Sequence, residues 1–347
     1  MSAQLSPRLT ARQERILGRV VEEYVATGTP VGSKTLVERA GIDVSPSTVR
    51  NDLAVLEEQG LLTHPHTSAG RVPTEHGYRF YVDQLLERLE PKPAELMLNL
   101  FEARSEVEAV LRTTTEALSD LTHLLALVSA PPLETTIVRR VEVMLLQPDV
   151  VMVVVITTTG GVAKRAFGFP QPVDPGLAEW AGEYLNECVT GLQVGARTFR
   201  ARFEDPDLGP GERAFLGAIR PAFTELVDSD EHSLFVGGAA GLLDEFRSDD
   251  LQAYRRLLEV LEQRAALLEL TRVNLLSKSP FVRVGAELQD PELQTVSLVG
   301  APYGLRHRNL GTVSILGPTR MDYVKAIDAV RSAAYELSRF VEEMYEE

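Results

Sequence analysis

Ser45-Pro46-Ser47-Thr48-Val49-Arg50-Asn51-Asp52-Leu53-Ala54-Val55-Leu56 is a short amphipathic helix with an unusual outward face. Ser45 is a candidate N-cap, because its hydroxyl can accept a bond from a free first-turn N–H. Pro46 suits the first helical position, where a missing N–H is no loss. Val49, Leu53 and Leu56 recur at i, i+4 and i+7 and form one apolar stripe. At 3.6 residues per turn, Ser47, Arg50, Asn51 and Ala54 fall on the opposite side. Arg and Asn are the side chains that bond guanine and adenine edges in bidentate fashion in the major groove, and a small Ala beside them leaves room to approach.

The flanking sequence places this helix in a motif. Upstream, Thr10-Ala11-Arg12-Gln13 fits a capping box. Ile16, Leu17, Val20, Val21, Tyr24 and Val25 then make an apolar stripe that stops at Gly28. A second short helix after Ser33 buries Leu36, Val37 and Ala40 and ends at Gly41. Two short helices joined by a Gly-containing turn predict a helix-turn-helix whose second helix enters the groove. Downstream, Gly60 ends the recognition helix and Leu61-Leu62-Thr63 turns extended. His64 to Pro73 reads as a hairpin tip, because Pro65 and Gly70 suit a loop. This is the wing of a winged helix. Ser47, Thr48, Ser68 and Arg71 are the expected backbone contacts, and Arg50 and Asn51 the base readers.

Beyond residue 90 the period changes. Residues 74–89 predict a fourth helix with Tyr78, Tyr81, Val82 and Leu85 inward, and Glu90-Pro91-Lys92-Pro93 marks a boundary. A long helix is expected over 94–129. Ile137–Leu146, Val150–Thr157 and Val162–Phe167 then alternate as a three-stranded meander, the middle run being continuously β-branched as for a strand covered on both faces. Prolines punctuate two helical stretches near 175–190 and 211–227. A strand near Ser233–Val236, a helix over 249–276, strands near 281–287, 295–300 and 311–317, and a last helix over 320–346 complete the reading. The last helix has Val324, Ile327, Val330, Leu337, Val341 and Met344 on its apolar side. Helices flanking a sheet predict an α+β body behind the DNA-binding domain.

Two or three domains fit 347 residues, and 44% hydrophobic content is enough for real cores. The net charge of −15 is unequally shared. Residues 1–85 hold nine Lys/Arg and ten Asp/Glu, whereas the remainder holds 26 and 40. The acidity thus belongs to the body, where it opposes non-specific association with DNA. No run approaches the roughly 20 apolar residues of a membrane span. The start lacks an apolar signal-peptide core, and Cys188 stands alone, so a cytoplasmic location without membrane association is expected.

Sites for other chemistry are weak. Gly237-Gly238-Ala239-Ala240-Gly241 lacks the Gly-Lys-Ser/Thr ending of a phosphate loop and reads as a tight turn. His64, His66 and His76 have no Cys partner nearby, and no metal or other cofactor is expected. No nucleophile elbow is present, so the chain does not read as an enzyme. In Thr319-Arg320-Met321-Asp322-Tyr323, Thr319 is the expected cap of the last helix, with Asp322 near its positive end.

Three blocks carry a resemblance. Ser68-Ala69-Gly70-Arg71, Pro73-Thr74 and Gly77-Tyr78-Arg79-Phe80-Tyr81-Val82-Asp83 form the first. Phe235-Val236-Gly237-Gly238-Ala239-Ala240-Gly241-Leu242-Leu243 and Gly317-Pro318-Thr319-Arg320-Met321-Asp322-Tyr323 are the others. In order and spacing they resemble the HrcA family of heat-inducible transcription repressors. The resemblance implies a GAF-like domain interrupted by an inserted dimerisation domain. The expected division is a winged-helix domain over 1–90, a discontinuous GAF-like domain over 94–169 and 246–347, and an insertion over 170–245. It also implies a homodimer on an inverted-repeat operator called CIRCE, upstream of the groE and dnaK chaperone operons, with the GroE chaperonin maintaining the competent form. The other reading left open is a winged-helix repressor whose C-terminal domain binds a small-molecule effector.

Overall fold

The first helix, α1 (Ala11–Thr27), is fixed at both ends by the residues that predict it. The Thr10 hydroxyl accepts from the Gln13 N–H at 3.3 Å, and Gln13 Oε1 accepts from the Thr10 N–H at 2.9 Å. Gly28 adopts φ 61°, where a side chain is disfavoured, and its N–H returns to the Tyr24 carbonyl at 2.7 Å. Helices α2 (Ser33–Arg39) and α3 (Pro46–Glu58) follow, then the short strands β1 (Leu62–Thr63) and β2 (Val72–Pro73), then α4 (Glu75–Glu87). The strands are antiparallel, Leu62 opposite Pro73 and Thr63 opposite Val72. Ile16, Leu17, Val20, Val21, Leu36, Val49, Leu53, Leu56, Leu61, Tyr78 and Val82 are buried together in these elements. Each such aliphatic side chain contributes about 1.5–3 kcal/mol relative to exposure. Tyr24, Val25, Val37 and Leu85 are half-buried and form the edge of that core.

The computed structural model describes residues 9–39, 41–42, 44–65, 70–90, 93, 107–130, 137–157, 162–192, 201–224, 234–238, 267, 270, 279–290 and 293–345. Ala40, Ser68 and most of the helix expected over 249–276 lie outside them. The chain divides into two compact units. One comprises Met1–Leu98, Thr115–Leu127 and Val236–Glu347; the other comprises Asn99–Thr114 and Val128–Phe235.

Part of the long helix expected over 94–129 is a strand. Helix α5 (Val107–Thr122) stops at His123, whose φ of 59° is left-handed, and β3 (Leu125–Ser129) follows. Leu124 to Val128 are all buried, and an unbroken apolar run of that length fits a covered strand as well as a helix. With β7 (Leu234–Gly237), β8 (Phe281–Val284), β9 (Val296–Leu305) and β10 (Arg308–Pro318), β3 forms a five-stranded sheet in the order β7-β3-β10-β9-β8. Strand β8 is shorter than its reading because Gly285–Leu288 winds into a 3-10 turn. The β9–β10 hairpin is longer than expected; pairing runs from Val296 opposite Pro318 to Leu305 opposite Arg308.

Helix α9 (Tyr323–Tyr345) packs on β9 and β10. Its buried stripe is Tyr323, Ala326, Ile327, Val330, Ala333, Leu337, Phe340 and Val341. Val324, expected inside, is 45% exposed, one position off the stripe. The helix is capped by Asp322 rather than Thr319: Asp322 Oδ1 accepts from the Lys325 N–H at 3.0 Å.

The second unit holds the meander β4 (Val138–Gln147), β5 (Val150–Thr157) and β6 (Val162–Gly168). One sheet face packs on α6 (Pro175–Val189), α7 (Pro210–Ile219) and α8 (Pro221–Thr224) through Val141, Val151, Val153, Val155, Leu185, Leu216 and Phe223. The edge strand β4 is blunted: Asn186 of α6 donates to the Val141 carbonyl at 2.5 Å and accepts from its N–H at 2.9 Å. Strand β5 is buried at alternate residues and half-buried between, so only one of its faces is fully covered within the chain. The meander and α6–α8 share one core, so the strands before residue 170 pack with helices from the insertion expected over 170–245.

Candidate nucleic-acid interface

Helix α3 is held from both ends and from beneath. Ser45 caps it, accepting from the Thr48 N–H at 3.2 Å, and Pro46 occupies the first turn. The Ser47 and Thr48 hydroxyls both turn to Ser45 Oγ, at 2.8 and 2.9 Å. Val49, Leu53 and Leu56 are buried, while Ser47, Arg50, Asn51 and Ala54 are exposed and Thr48 is half-buried. The side chains of Arg50 and Asn51 make no hydrogen bond or ion pair with other described residues. The two candidate base readers are therefore presented on a fixed helix with their donors and acceptors available.

A pairing absent from the sequence reading locks this helix to α1. Asp52 is 5% exposed and receives Arg12 Nε at 2.8 Å and Nη2 at 3.3 Å, with Gln13 Nε2 at 3.5 Å. The hydrogen bond to Asp52, and then its charge, raise the Arg12 pKa. Arg12 remains half exposed, so a fixed cation stands beside the start of α1, on the Asp52 side of the reading helix. The partners lie 40 residues apart, beyond any local periodicity.

The wing departs from expectation at Arg71. Its backbone makes an isolated antiparallel bridge with Val31, N–H to carbonyl at 2.8 Å in both directions. Its guanidinium turns onto the reading helix, Nη2 to Glu57 Oε2 at 2.7 Å, instead of extending freely toward a phosphate. His64 bonds the other oxygen of Glu57. Ser68, the remaining expected contact, lies outside the described residues. His64 and His76 gather no third ligand: among the described residues no group of three His, Cys, Asp or Glu is placed to hold a metal.

The motif residues behind the wing have packing reasons. A Cβ on Gly77 would collide with the Leu61 carbonyl, and one on Gly70 with the Val31 backbone, so both positions are close approaches of chain to chain. Tyr78 is buried against Tyr323, ring centroids 5.9 Å apart. Arg79 donates to the Val282 carbonyl at 2.7 Å and pairs with Glu287 at 3.1 Å and Asp83 at 2.7 Å. The Tyr323 hydroxyl bonds Ser297 Oγ at 2.8 Å and donates to the Thr319 carbonyl at 2.7 Å. Two of the sequence blocks, 230 residues and more apart, thus meet where α4 packs on the β8 side of the five-stranded sheet. No described helix is long and apolar enough to cross a membrane.

Residues 108–327 match the model of the HrcA protein C terminal domain, and residues 19–74 match a DeoR-like helix-turn-helix domain. The chain is 36% identical over 332 residues to the heat-inducible transcription repressor HrcA of Parafrankia sp. (strain EAN1pec), covering 94% of this chain and 97% of that one. It is 37% identical over 343 residues to the protein of the same name from Nocardioides sp. (strain ATCC BAA-499 / JS614), covering 96% and 98%. A crystal structure of a hypothetical protein at 2.2 Å resolution superposes with a TM-score of 0.65 at 25% identity, over 97% of this chain and all of that one. The relatives are named as repressors and not as enzymes, in keeping with the absence of a catalytic motif from the sequence. With a helix-turn-helix in front of an α+β body and a family match across most of its length, the chain belongs to the HrcA family.

Proposed function

We propose that this protein is a dimeric, sequence-specific repressor of heat-shock chaperone operons, groE and dnaK, acting at the CIRCE inverted repeat. The observation that carries the reading is the exposed Arg50 and Asn51, without partners among the described residues, on a capped helix. In this reading Arg50 and Asn51 take base edges, and Ser47, Thr48 and Ser68 set the helix on the phosphate backbone. Arg12 joins them as a flanking cation. One short helix makes few base contacts, so a two-fold dimer on two half-sites is the usual route to useful affinity.

The second unit supplies a surface for that dimer. The outer face of the meander carries Met144, Met152, Val154, Ile156 and Val162, with Met144 42% and Val162 63% exposed. The inserted dimerisation domain is accordingly assigned to this unit, and the GAF-like domain to the five-stranded sheet with α9. Control by the GroE chaperonin rests on the family resemblance and is consistent with a marginal folding equilibrium, in which a few kcal/mol changes occupancy greatly.

Footprinting on DNA upstream of the cell's own chaperone operons tests the reading. The expected result is a protected inverted repeat with two equivalent half-sites. Equal protection of unrelated duplex would overturn it. Adding chaperonin to heat-inactivated protein is expected to restore the footprint, and failure to do so removes the chaperonin from the scheme.

A further inference from the structure

The reading stripe of α3 does not end at Ala54. Glu57 lies seven residues beyond Arg50, two turns along the same side of the helix. A bare carboxylate there would face the phosphates that Arg50 and Asn51 approach, and like charge opposes that approach. Glu57 is not bare. Its Oε1 accepts from His64 Nδ1 and its Oε2 from Arg71 Nη2 at 2.7 Å. His64 stands on the way into the wing tip and Arg71 on the way out, so one carboxylate ties both legs of the wing to the last turn of the reading helix.

The Arg71 side of this contact is tightly set. Its backbone is doubly bonded to Val31, and Gly70 beside it has no room for a side chain. Glu57 and Arg71 are each 25% exposed, so the pair is shielded more than an open surface bridge. The guanidinium has its Nη2 on Glu57, and its Nε is buried without a partner among the described residues.

We infer that Glu57 is a positioning residue for DNA reading, which clamps the wing to the recognition helix as one rigid head, and that Arg71 serves operator binding through this clamp rather than as a phosphate ligand. The inference rests on the DNA-binding reading above and deepens it. Rigid placement of several contacts at once favours the operator, where all must be satisfied together. It does little for random duplex, where the phosphates alone attract.

Fluorescence anisotropy with the full-length protein tests this, using operator and random duplexes of equal length over a series of KCl concentrations. The variants are Glu57→Gln, Glu57→Asp, Arg71→Gln and the double Glu57→Gln/Arg71→Gln, each checked by circular dichroism and melting temperature. Each single variant is expected to weaken operator binding about tenfold, the size of one charge-assisted hydrogen bond. The double should lose no more than the worse single, and affinity for random duplex should not fall. The salt slope should stay at its wild-type value. Glu57→Asp is the decisive control, because it keeps the charge and loses the reach; a purely electrostatic role would leave it unaffected.

The proposal is overturned if Arg71→Gln flattens the salt slope by about 0.9 and weakens both duplexes alike, which marks a phosphate contact. It is also overturned if correctly folded single variants bind operator as wild type does. If the wild-type protein fails to distinguish operator from random duplex, the DNA-binding reading itself falls, an outcome separate from a failed clamp.

Discussion

Arg50 and Asn51 are adjacent in sequence and both exposed, yet the helix beneath them is held by a cap, a buried stripe and the Arg12–Asp52 pair. Truncating Arg50 should therefore remove a contact without disturbing the fold. Arg50→Ala is expected to cost about 1–3 kcal/mol of operator binding and to relax preference at one base pair, measured by anisotropy against a set of single-base operator variants. Equal loss on every sequence would instead assign Arg50 to the backbone. Tyr78 shows the opposite situation. Its hydroxyl is buried with no partner among the described residues, and burial pushes its pKa up. Tyr78→Phe is expected to leave thermal stability unchanged or raise it by up to about 1 kcal/mol, because an unpaired buried donor is removed. A phenol whose folded pKa is raised contributes stability that is intact below its unfolded pKa and lost as pH climbs toward the folded value. Tyr184, pushed up to about 12 mainly by burial, and Tyr81 and Tyr323, raised for the same reason, share this sign. Denaturation midpoints should therefore be flat through neutral pH and fall above roughly pH 10, the ordinary tyrosine range. The cap, the buried stripe and the exposed positions of α3 were legible because each depends on neighbours within a turn or two. The partners of Asp52, Glu57 and Arg71 were not, because they lie from 7 to 40 residues away, on other elements.

Helix α4 shows how a motif can be visible in sequence while its purpose stays hidden. Gly77-Tyr78-Arg79 reads as part of an amphipathic helix, yet each residue answers a different neighbour. Gly77 lets the helix meet the Leu61 carbonyl, Tyr78 meets Tyr323, and Arg79 reaches Val282 and Glu287. Gly77→Ala should force α4 away from the Leu61 carbonyl, just before β1. A loss of about 1–3 kcal/mol in chemical denaturation is expected, the range for overpacking a close contact. The control Gly217→Ala, in α7 with open space at its Cβ, should not destabilise. Equal effects at the two positions would mean that helix propensity and not the contact sets the outcome. Helix ends followed local rules well, since caps and left-handed glycines act within a few residues. Strands followed them less well. The strand expected near 295–300 runs on through Pro302 and Gly304 to Leu305, because β10 pairs with it along its length, with one irregularity between Asn309 and Gly311. Leu125–Ser129 joined a helix in the sequence reading and a sheet in the fold, because a short run buried on every side carries no period to decide between them.

At the scale of the whole molecule, the acidic charge and the apolar sheet face limit what the protein can do. A body with 26 basic and 40 acidic residues opposes non-specific association with duplex DNA, so affinity for an operator has to come from specific contacts. The winged-helix and α+β character were legible because composition and period shift along the chain. The division of the meander from the five-stranded sheet was not, since both read as alternating strands and only packing assigns them to separate cores. On the meander, the face opposite α6–α8 exposes Met144, Leu146 and Val162 at 42, 51 and 63%. Met144 pairs across to Met152, and Val162 to Ile156, so an apolar band follows Met152, Val154 and Ile156 along the middle strand, reaches Met144 on one side and Val162 on the other, and is bordered by Arg140, Glu142 and Lys164. If this band is the two-fold contact, placing like charges in it should separate the subunits without unfolding either, because its inner face keeps its own core. Met144→Asp combined with Val162→Asp is expected to sediment as a monomer at concentrations where the wild type is a dimer, with unchanged circular dichroism. Operator affinity should then fall by far more than affinity for a single half-site, which one subunit can still occupy. A double variant that remains dimeric would place the two-fold contact elsewhere on the chain, and loss of operator and half-site binding together would show that the band supports the fold of the reading head and not the pairing of two heads.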